Sequence, residues 1–455
     1  MEDKITTMFD AVLQWNSIAL QIVANDHTPE IVASPNQGGP TRTSRALAIV
    51  HAAIFDAVNS IDGSFTPYLT SIPEVSTASV EAAVAQAAFD TLAQLYPSQE
   101  DFLQKELTEA LEMIPDGESK EQGRRVGTEV ATQILAARRN DNSDLDQSYV
   151  PGLLPGLHRE DPLNPGQGFL TPRWGAVIPF TLNRNGGQGT PAFRSPAPPA
   201  LIRNKYKKAF NEVKDFGGDG INTPTKRTQE QTEIGIFWAY DGTPRLGPPP
   251  RLYNQIAQQI AKDQGNKLVQ NARLFALVNL AMADAGIQGW DTKYFYNIWR
   301  PILGIREADP GTGPSRQGDG NPATKGDVNW TPLGAPNTNR RGARNFTPNF
   351  PAYTSGHATF GAALFQTLKR FYGKDTIAFT FVSDEFNGQN LDNISGTKRP
   401  LLPRSYSSFS QASEENGQSR IYLGIHWQFD KVQGIRAGEA VADFVFDNFL
   451  QPIKH

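Results

Sequence analysis

Two cations, Lys293 and Arg300, stand seven residues apart in the segment KYFYNIWRP, with Tyr294, Phe295, Tyr296, Ile298 and Trp299 between them. On a helix that spacing falls about 20° short of two turns, so both side chains would leave one face and could line an interior anion pocket. A solvated Lys/Arg edge on an amphipathic helix would give the same pattern. In FPAYTSGHATFGAALF, Thr354, Ser355, Gly356 and His357 stand just ahead of an alanine-rich, strongly helical run. A helix starting there aims free backbone N–H groups at an anion; Gly356 permits close approach and Ser355 adds a hydroxyl donor. His357 would then sit beside the bound oxygens as a general acid or base. An ordinary N-cap by Thr354 or Ser355 is the plain alternative. In SRIYLGIHWQFD, Arg420 ends a helix stopped by Gly424, and His426 follows on the turn into the next helix. Asp430, four residues on, could share a helical face with His426 and hold its ring. Taken alone, His426 also reads as a satisfied, partly buried histidine.

The three segments together describe more than any one of them. Three permanent cations, neutral donors from Ser355 and Gly356, a proton relay and a nitrogen able to bind a central atom suit a tetrahedral oxyanion that becomes trigonal bipyramidal when histidine binds on one axis. Phosphate does this fleetingly, in transfer chemistry. Vanadate can do it as a stable resting complex.

The elements that must position these residues read as helices. Apolar residues recur at spacings of three and four over Ser44–Ile61, Val80–Leu95, Gln99–Met113 and Lys120–Arg139, and again over Gln229–Tyr240, Leu252–Lys262 and Lys267–Trp299, the last with a break expected near Gly286. The final block holds helices from about His357 to Tyr372, Ser408 to Leu423 and Trp427 to Leu450. Pro, Gly and Asn dominate Asn140–Thr228, which reads as an extended connection, and Asp309–Pro351. Loops of that length are usually functional or disordered. Alternating strands are scarce. The expected fold class is all-α, two four-helix bundles with long Pro/Gly-rich loops, divided as an N-terminal helical half over 1–228 and a catalytic helical bundle over 229–455 that form one compact unit.

Composition closes several routes. The 455 residues carry no cysteine, which removes disulfides, thiolate metal sites, thiol nucleophiles and iron–sulfur clusters. Lys and Arg (43) nearly match Asp and Glu (47) for a net charge of −4, so no global field recruits nucleic acid or an anionic membrane, and an anion must be captured locally. The N-terminal MEDKITTMFDAVLQW lacks the pattern of a secretory signal, and no apolar run reaches the length of a membrane span. A soluble protein is expected. Its compartment is not readable from these residues, and a homo-oligomer is compatible with them.

Lys, six residues, Arg-Pro; then Ser-Gly-His; then Ser-Arg, five residues, His, three residues, Asp: in this order the motifs resemble those of the vanadium-dependent haloperoxidases and the related type 2 phosphatidic acid phosphatase superfamily. The resemblance spans roughly Phe237–Leu450; the N-terminal half matches only in length and helical character. It implies that His426 coordinates vanadium and that Lys293, Arg300, Ser355, Gly356 and Arg420 bind the vanadate oxygens. It further implies that His357 is the acid–base residue and that Lys293 polarises bound peroxide. Hydrogen peroxide, a halide ion and a small organic acceptor are the implied partners. Trp290 and Phe350 fall where fungal-type chloroperoxidases carry Trp and Phe, which implies chloride as well as bromide oxidation. FWAYDGTPRLGPPPRLYNQ also resembles that type and offers Asp241 as a partner for Arg420. Thr354 departs from the proline usual there, which loosens the turn but removes no ligand.

Two other readings use the same residues. In an acid phosphatase, His426 would attack phosphorus and His357 would protonate the leaving group. A non-catalytic anion-binding scaffold would need no proton relay at all.

Overall fold

The computed structural model describes residues 10–453; Met1–Phe9, part of the N-terminal stretch read for a signal, lie outside them together with Lys454 and His455. Among the described residues thirteen α-helices carry the architecture. The N-terminal half contains α1 (Ala11–Asp26), α2 (Gly39–Asp62), α3 (Val80–Leu95), α4 (Glu100–Glu112) and α5 (Glu118–Arg138). Next come α6 (Asn204–Phe216), α7 (Gln229–Phe237), α8 (Pro249–Asp263), α9 (Leu268–Tyr296) and α10 (Pro301–Arg306). The last are α11 (Gly356–Tyr372), α12 (Phe409–Tyr422) and α13 (Gln428–Asn448), with one antiparallel pair, β1 (Phe379–Phe381) and β2 (Arg404–Tyr406), between α11 and α12.

Local chemistry sets the helix ends. Asp10 accepts the Leu13 N–H at 3.0 Å to start α1, and Ser79 accepts that of Ala82 at 3.2 Å to start α3. A capping box between Thr228 and Gln231 opens α7. Gly63 and Gly373, both left-handed, close α2 and α11.

Two groups of four helices share one member. α2, α3, α5 and α9 pack together on one side, and α9, α11, α12 and α13 on the other, so a single apolar core runs through both halves of the chain. The 29 residues of α9 form one unbroken helix, contrary to the break expected at Gly286. That glycine serves packing. A Cβ there would lie 2.8 Å from the Phe360 ring of α11. On α13, Gly434 and Gly438 face the start of α11; a Cβ on Gly434 would sit 3.0 Å from the Ser355 carbonyl oxygen, and one on Gly438 would collide with that of Thr359. The two helices therefore touch backbone to backbone where the functional segment begins.

The segment between Asn140 and Thr228 is more than a connection. It contains α6, whose Tyr206, Phe210 and Val213 are buried in a second core with Trp299 and Trp427. Their spacing of four and three places one stripe inward, which the surrounding prolines had masked. Elsewhere buried carboxylates tie loops to helices. Asp26 accepts the N–H groups of Asn36 (2.7 Å) and Gln37 (2.9 Å), and Asp284 of α9 accepts those of Phe180 and Thr181 at 2.6 and 2.7 Å. No described helix is long and apolar enough to cross a membrane.

Candidate active site

His426 lies on the short turn between Gly424 and Trp427, ahead of α13, and is 2% exposed. Its Nδ1 is 2.9 Å from Asp430 Oδ2, an oxygen that also accepts the Trp427 N–H at 2.9 Å. A carboxylate oxygen accepts, so Nδ1 carries the proton and Nε2 keeps its lone pair. That lone pair meets Arg300 Nη1 at 2.9 Å.

Arg300 does not share a helical face with Lys293. Asn297, left-handed at φ 54°, ends α9 three residues earlier, and Arg300 caps α10 in extended conformation. The proline that follows disfavours helical geometry at Arg300, and Pro301 opens α10. The two cations converge nonetheless, through the loop and not through helical periodicity. Arg300 donates from Nε to the Phe350 carbonyl and from Nη1 to that of Ile425, both at 2.8 Å. Its Nη2, wholly buried, has no protein partner.

Arg420, in the last turn of α12, directs Nη2 at both carboxylate oxygens of Asp241, each 2.8 Å away. Its Nε and Nη1 are buried without a partner. Lys293 spends its ammonium on three backbone carbonyls, those of Pro351 (2.8 Å), Ala352 (3.2 Å) and Thr354. It thus fixes the chain leading into α11, and any anion must share its protons. Its nitrogen lies 5.0 Å from the Phe350 ring centroid, and the Arg300 guanidinium carbon 4.8 Å from the same ring.

Ser355 caps α11 by accepting the Ala358 N–H at 3.4 Å, which leaves its own hydroxyl proton free to donate. The N–H groups of Gly356 and His357 take no partner among the described residues. His357 bonds through Nε2 to the Ala239 carbonyl, so Nε2 is protonated and Nδ1 is the nitrogen without a protein partner. Trp290 and Phe350 pack at 4.9 Å between ring centroids.

A cavity of about 530 Å³ joins these groups, with Asp241, Trp290, Phe350, Gly356, His357, Arg420 and His426 in its wall. Lys293, Arg300 and Ser355 stand behind the surface. The cavity also reaches residues that sequence reasoning missed: His27, the loop from Pro35 to Pro40, Arg42, Leu170 and Thr171. All belong to the N-terminal half. Nothing local marks them: the packing of α2 against α9 brings the first group over the site, and Leu170 is held there by Trp290 Nε1 and the Tyr294 hydroxyl, which both donate to its carbonyl.

Burial dominates the electrostatics. It pushes the His426 and His357 imidazoles well below their ordinary value, aided in the first by Arg300 and in the second by Arg420. It pulls the Lys293 ammonium well down, with Arg300 adding repulsion, and brings Arg300 to about 9 against the attraction of Asp430. Asp430 rises to about 7 by burial, and Asp241 rises for the same reason against the pull of Arg420. Burial alone gives the sign of every shift on a basic group here. The unpartnered guanidinium N–H donors, the free first-turn N–H groups and the His426 Nε2 lone pair, which meets Arg300, could hold a compact oxyanion.

A mainly helical protein with a buried, cation-rimmed oxyanion site at its bundle core is the class these features define. Family models agree with it along the chain. The vanadium chloroperoxidase N-terminal domain matches residues 6–198, and the second helical-bundle domain of that enzyme matches 273–455. The vanadium chloroperoxidase of Curvularia inaequalis is 32% identical over an alignment of 511 residues, covering 92% of this chain and 78% of that protein. The chain belongs to the vanadium-dependent haloperoxidase family. Its fold is shared with the first bacterial vanadium-dependent iodoperoxidase, at a TM-score of 0.76 and 23% identity over 97% of this chain and 98% of that one. The holo form of a bacterial vanadium-dependent chloroperoxidase has the same fold at a TM-score of 0.66 and 17% identity, over 91% and 93% of the two chains. A chloroperoxidase relative at that identity over nearly the whole chain does not favour the phosphatase reading.

Proposed function

We propose that His426 Nε2 holds the vanadate cofactor within the donors of Arg300, Arg420, Ser355 and Gly356, that the enzyme there oxidises chloride and bromide with hydrogen peroxide and passes the halogen to a small organic acceptor, and that the protein is soluble. The observation that carries this reading is the set of wholly buried guanidinium N–H groups left without acceptors beside a histidine of fixed tautomer. An uncompensated buried donor costs roughly 1–3 kcal/mol, and an anion accepting from Arg300 Nη2 and from Nε and Nη1 of Arg420 would offset that cost at both guanidiniums.

Bound vanadate supplies a Lewis acid that activates peroxide without changing its own oxidation state. The residues supply the rest. Asp430 keeps the proton on Nδ1 of His426 and so keeps Nε2 available. Asp241 fixes the plane of Arg420 and offsets part of the crowded positive charge. His357, anchored through Nε2, presents Nδ1, which would take and return a proton of the peroxide. Lys293 holds the Pro351–Thr354 chain against α9, and its charge would polarise bound peroxide. Trp290 and Phe350 form a dry aromatic wall where a small halide sheds water, which supports chloride as well as bromide.

The test compares dialysed protein with and without added vanadate for peroxide-dependent bromination of a phenol dye and for hydrolysis of a chromogenic phosphate ester. Halogenation restored by vanadate is expected. Ester hydrolysis inhibited by vanadate, with no halogenation, would reverse the reading.

A further inference from the structure

The cavity is far larger than its small reactants need. Vanadate, peroxide and a halide amount to about eight heavy atoms, whereas about 530 Å³ is room for roughly eighteen waters at ~30 Å³ each. A volume in this range suits an organic molecule. Its walls divide by character. Its buried, inner part holds the cations and histidines of the vanadate site. The aromatic rings of Trp290, Phe346, Phe350 and Phe360 also line it. Its more exposed, outer part is the start of α2 with Arg42, whose side chain is 28% exposed.

That outer end is positive. Gly38 caps α2 without a side-chain bond, and no acidic residue occupies its first turn. Gly39 donates its N–H to His27 Nε2 at 3.1 Å and Pro40 has none, which leaves that of Thr41 without a protein acceptor among the described residues. The Arg42 guanidinium lies 5.8 Å over the Trp174 ring and meets only Asp144, at 3.4 Å, a carboxylate that is 86% exposed. Such a pair is worth little and exchanges readily. The one carboxylate in the cavity wall, Asp241, is already bound twice by Arg420.

We propose that this cavity is a binding site for the organic acceptor, and that the acceptor is an electron-rich aromatic carboxylate. Its ring lies among the four aromatic side chains and its carboxylate meets the Arg42 guanidinium. Halogen transfer then takes place inside the protein. The hypohalous acid equivalent gives its halogen to a ring carbon: the C–X bond forms, the O–X bond breaks, the halogen is reduced from +1 to −1 as the carbon is oxidised, and the ring proton leaves with the hydroxide as water. The inference rests on the haloperoxidase reading of the inner end.

The vanadate-loaded enzyme is given bromide, peroxide and either a hydroxybenzoate or its neutral amide, with and without an excess of a dissolved thioether that intercepts free hypobromite. Expected are saturation with the carboxylate, an isomer ratio unlike that from hypobromite in buffer, and product that survives the thioether. Arg42→Ala should lower kcat/KM for the carboxylate relative to the amide by about fivefold, and Arg42→Glu by more. An isomer ratio equal to that of hypobromite with complete interception overturns the proposal, as does an unchanged carboxylate preference in both variants. A small neutral dye separates the two failures. If the dye is brominated while these signs are absent, only the acceptor site falls; if it is not brominated at all, the haloperoxidase reading falls with it.

Discussion

The Nδ1 of His426 and the Oδ2 of Asp430 are 2.9 Å apart, one helical turn from each other, with the carboxylate wholly buried at the start of α13. This bond decides which nitrogen faces Arg300 and the cavity. Asp430→Ala frees both tautomers and the ring's rotation, and vanadate affinity should fall about a hundredfold; Asp430→Asn keeps an acceptor but not the charge, and about tenfold is expected. Equilibrium dialysis with vanadium analysis measures both. Equal affinity in all three proteins would mean that Asp430 does not orient the ligand.

The contact of Gly438 with the Thr359 carbonyl predicts a packing defect that reaches the site. Gly438→Ala must part α13 from α11, at a cost of about 1–3 kcal/mol for overpacking. Because Ser355, Gly356 and His357 begin α11, vanadate retention should weaken along with the urea midpoint. A variant that lost stability yet bound vanadate normally would show that the start of α11 is positioned independently of this crossing.

How far the sequence reveals all this depends on whether a feature is local. The helix start at Ser355, the turn at His426 and the His426–Asp430 pair each involve only a few consecutive residues, so residue type and spacing suffice to read them. The seven-residue spacing of Lys293 and Arg300 puts them on one helical face, although the Arg300-Pro301 step carries the signal that the helix ends before it. The stripe of Tyr206, Phe210 and Val213 was equally present, hidden among prolines. Arg42 and Leu170 are different. Arg42 reaches the cavity because α2 packs on α9, a contact between segments more than two hundred residues apart, and Leu170 because Trp290 and Tyr294 bond its carbonyl; no local pattern encodes either.

The Arg420–Asp241 pair yields a stability prediction with an internal control. Both partners are buried, and Asp241→Ala leaves a guanidinium without its counter-charge, which costs roughly 3–5 kcal/mol in the vanadate-free protein. Vanadate should repay part of that loss, so saturating vanadate should raise the midpoint of chemical unfolding further in the variant than in the parent. An equal rise in both would show that the bound anion does not touch Arg420.

His357 makes the pH dependence testable, and the sign follows from its shift. Burial, aided by Arg420, holds the folded imidazole well below 6.5, while the unfolded chain titrates near that value. Below pH 6.5 the unfolded state therefore binds a proton that the vanadate-free fold refuses. The stability His357 contributes is fully present above 6.5 and is lost as the pH falls toward the folded value, by at most about 1.4 kcal/mol per pH unit. Glutamine can keep the bond to the Ala239 carbonyl without titrating, so vanadate-free His357→Gln should lose less stability than the parent between pH 7.5 and 5.5. Vanadate opposes Arg420 electrostatically, so its binding in this range should draw a proton onto His357. Calorimetry in two buffers of different ionisation enthalpy measures that uptake, and His357→Gln should diminish it. Identical uptake in parent and variant would assign the proton to another group and remove His357 as the relay.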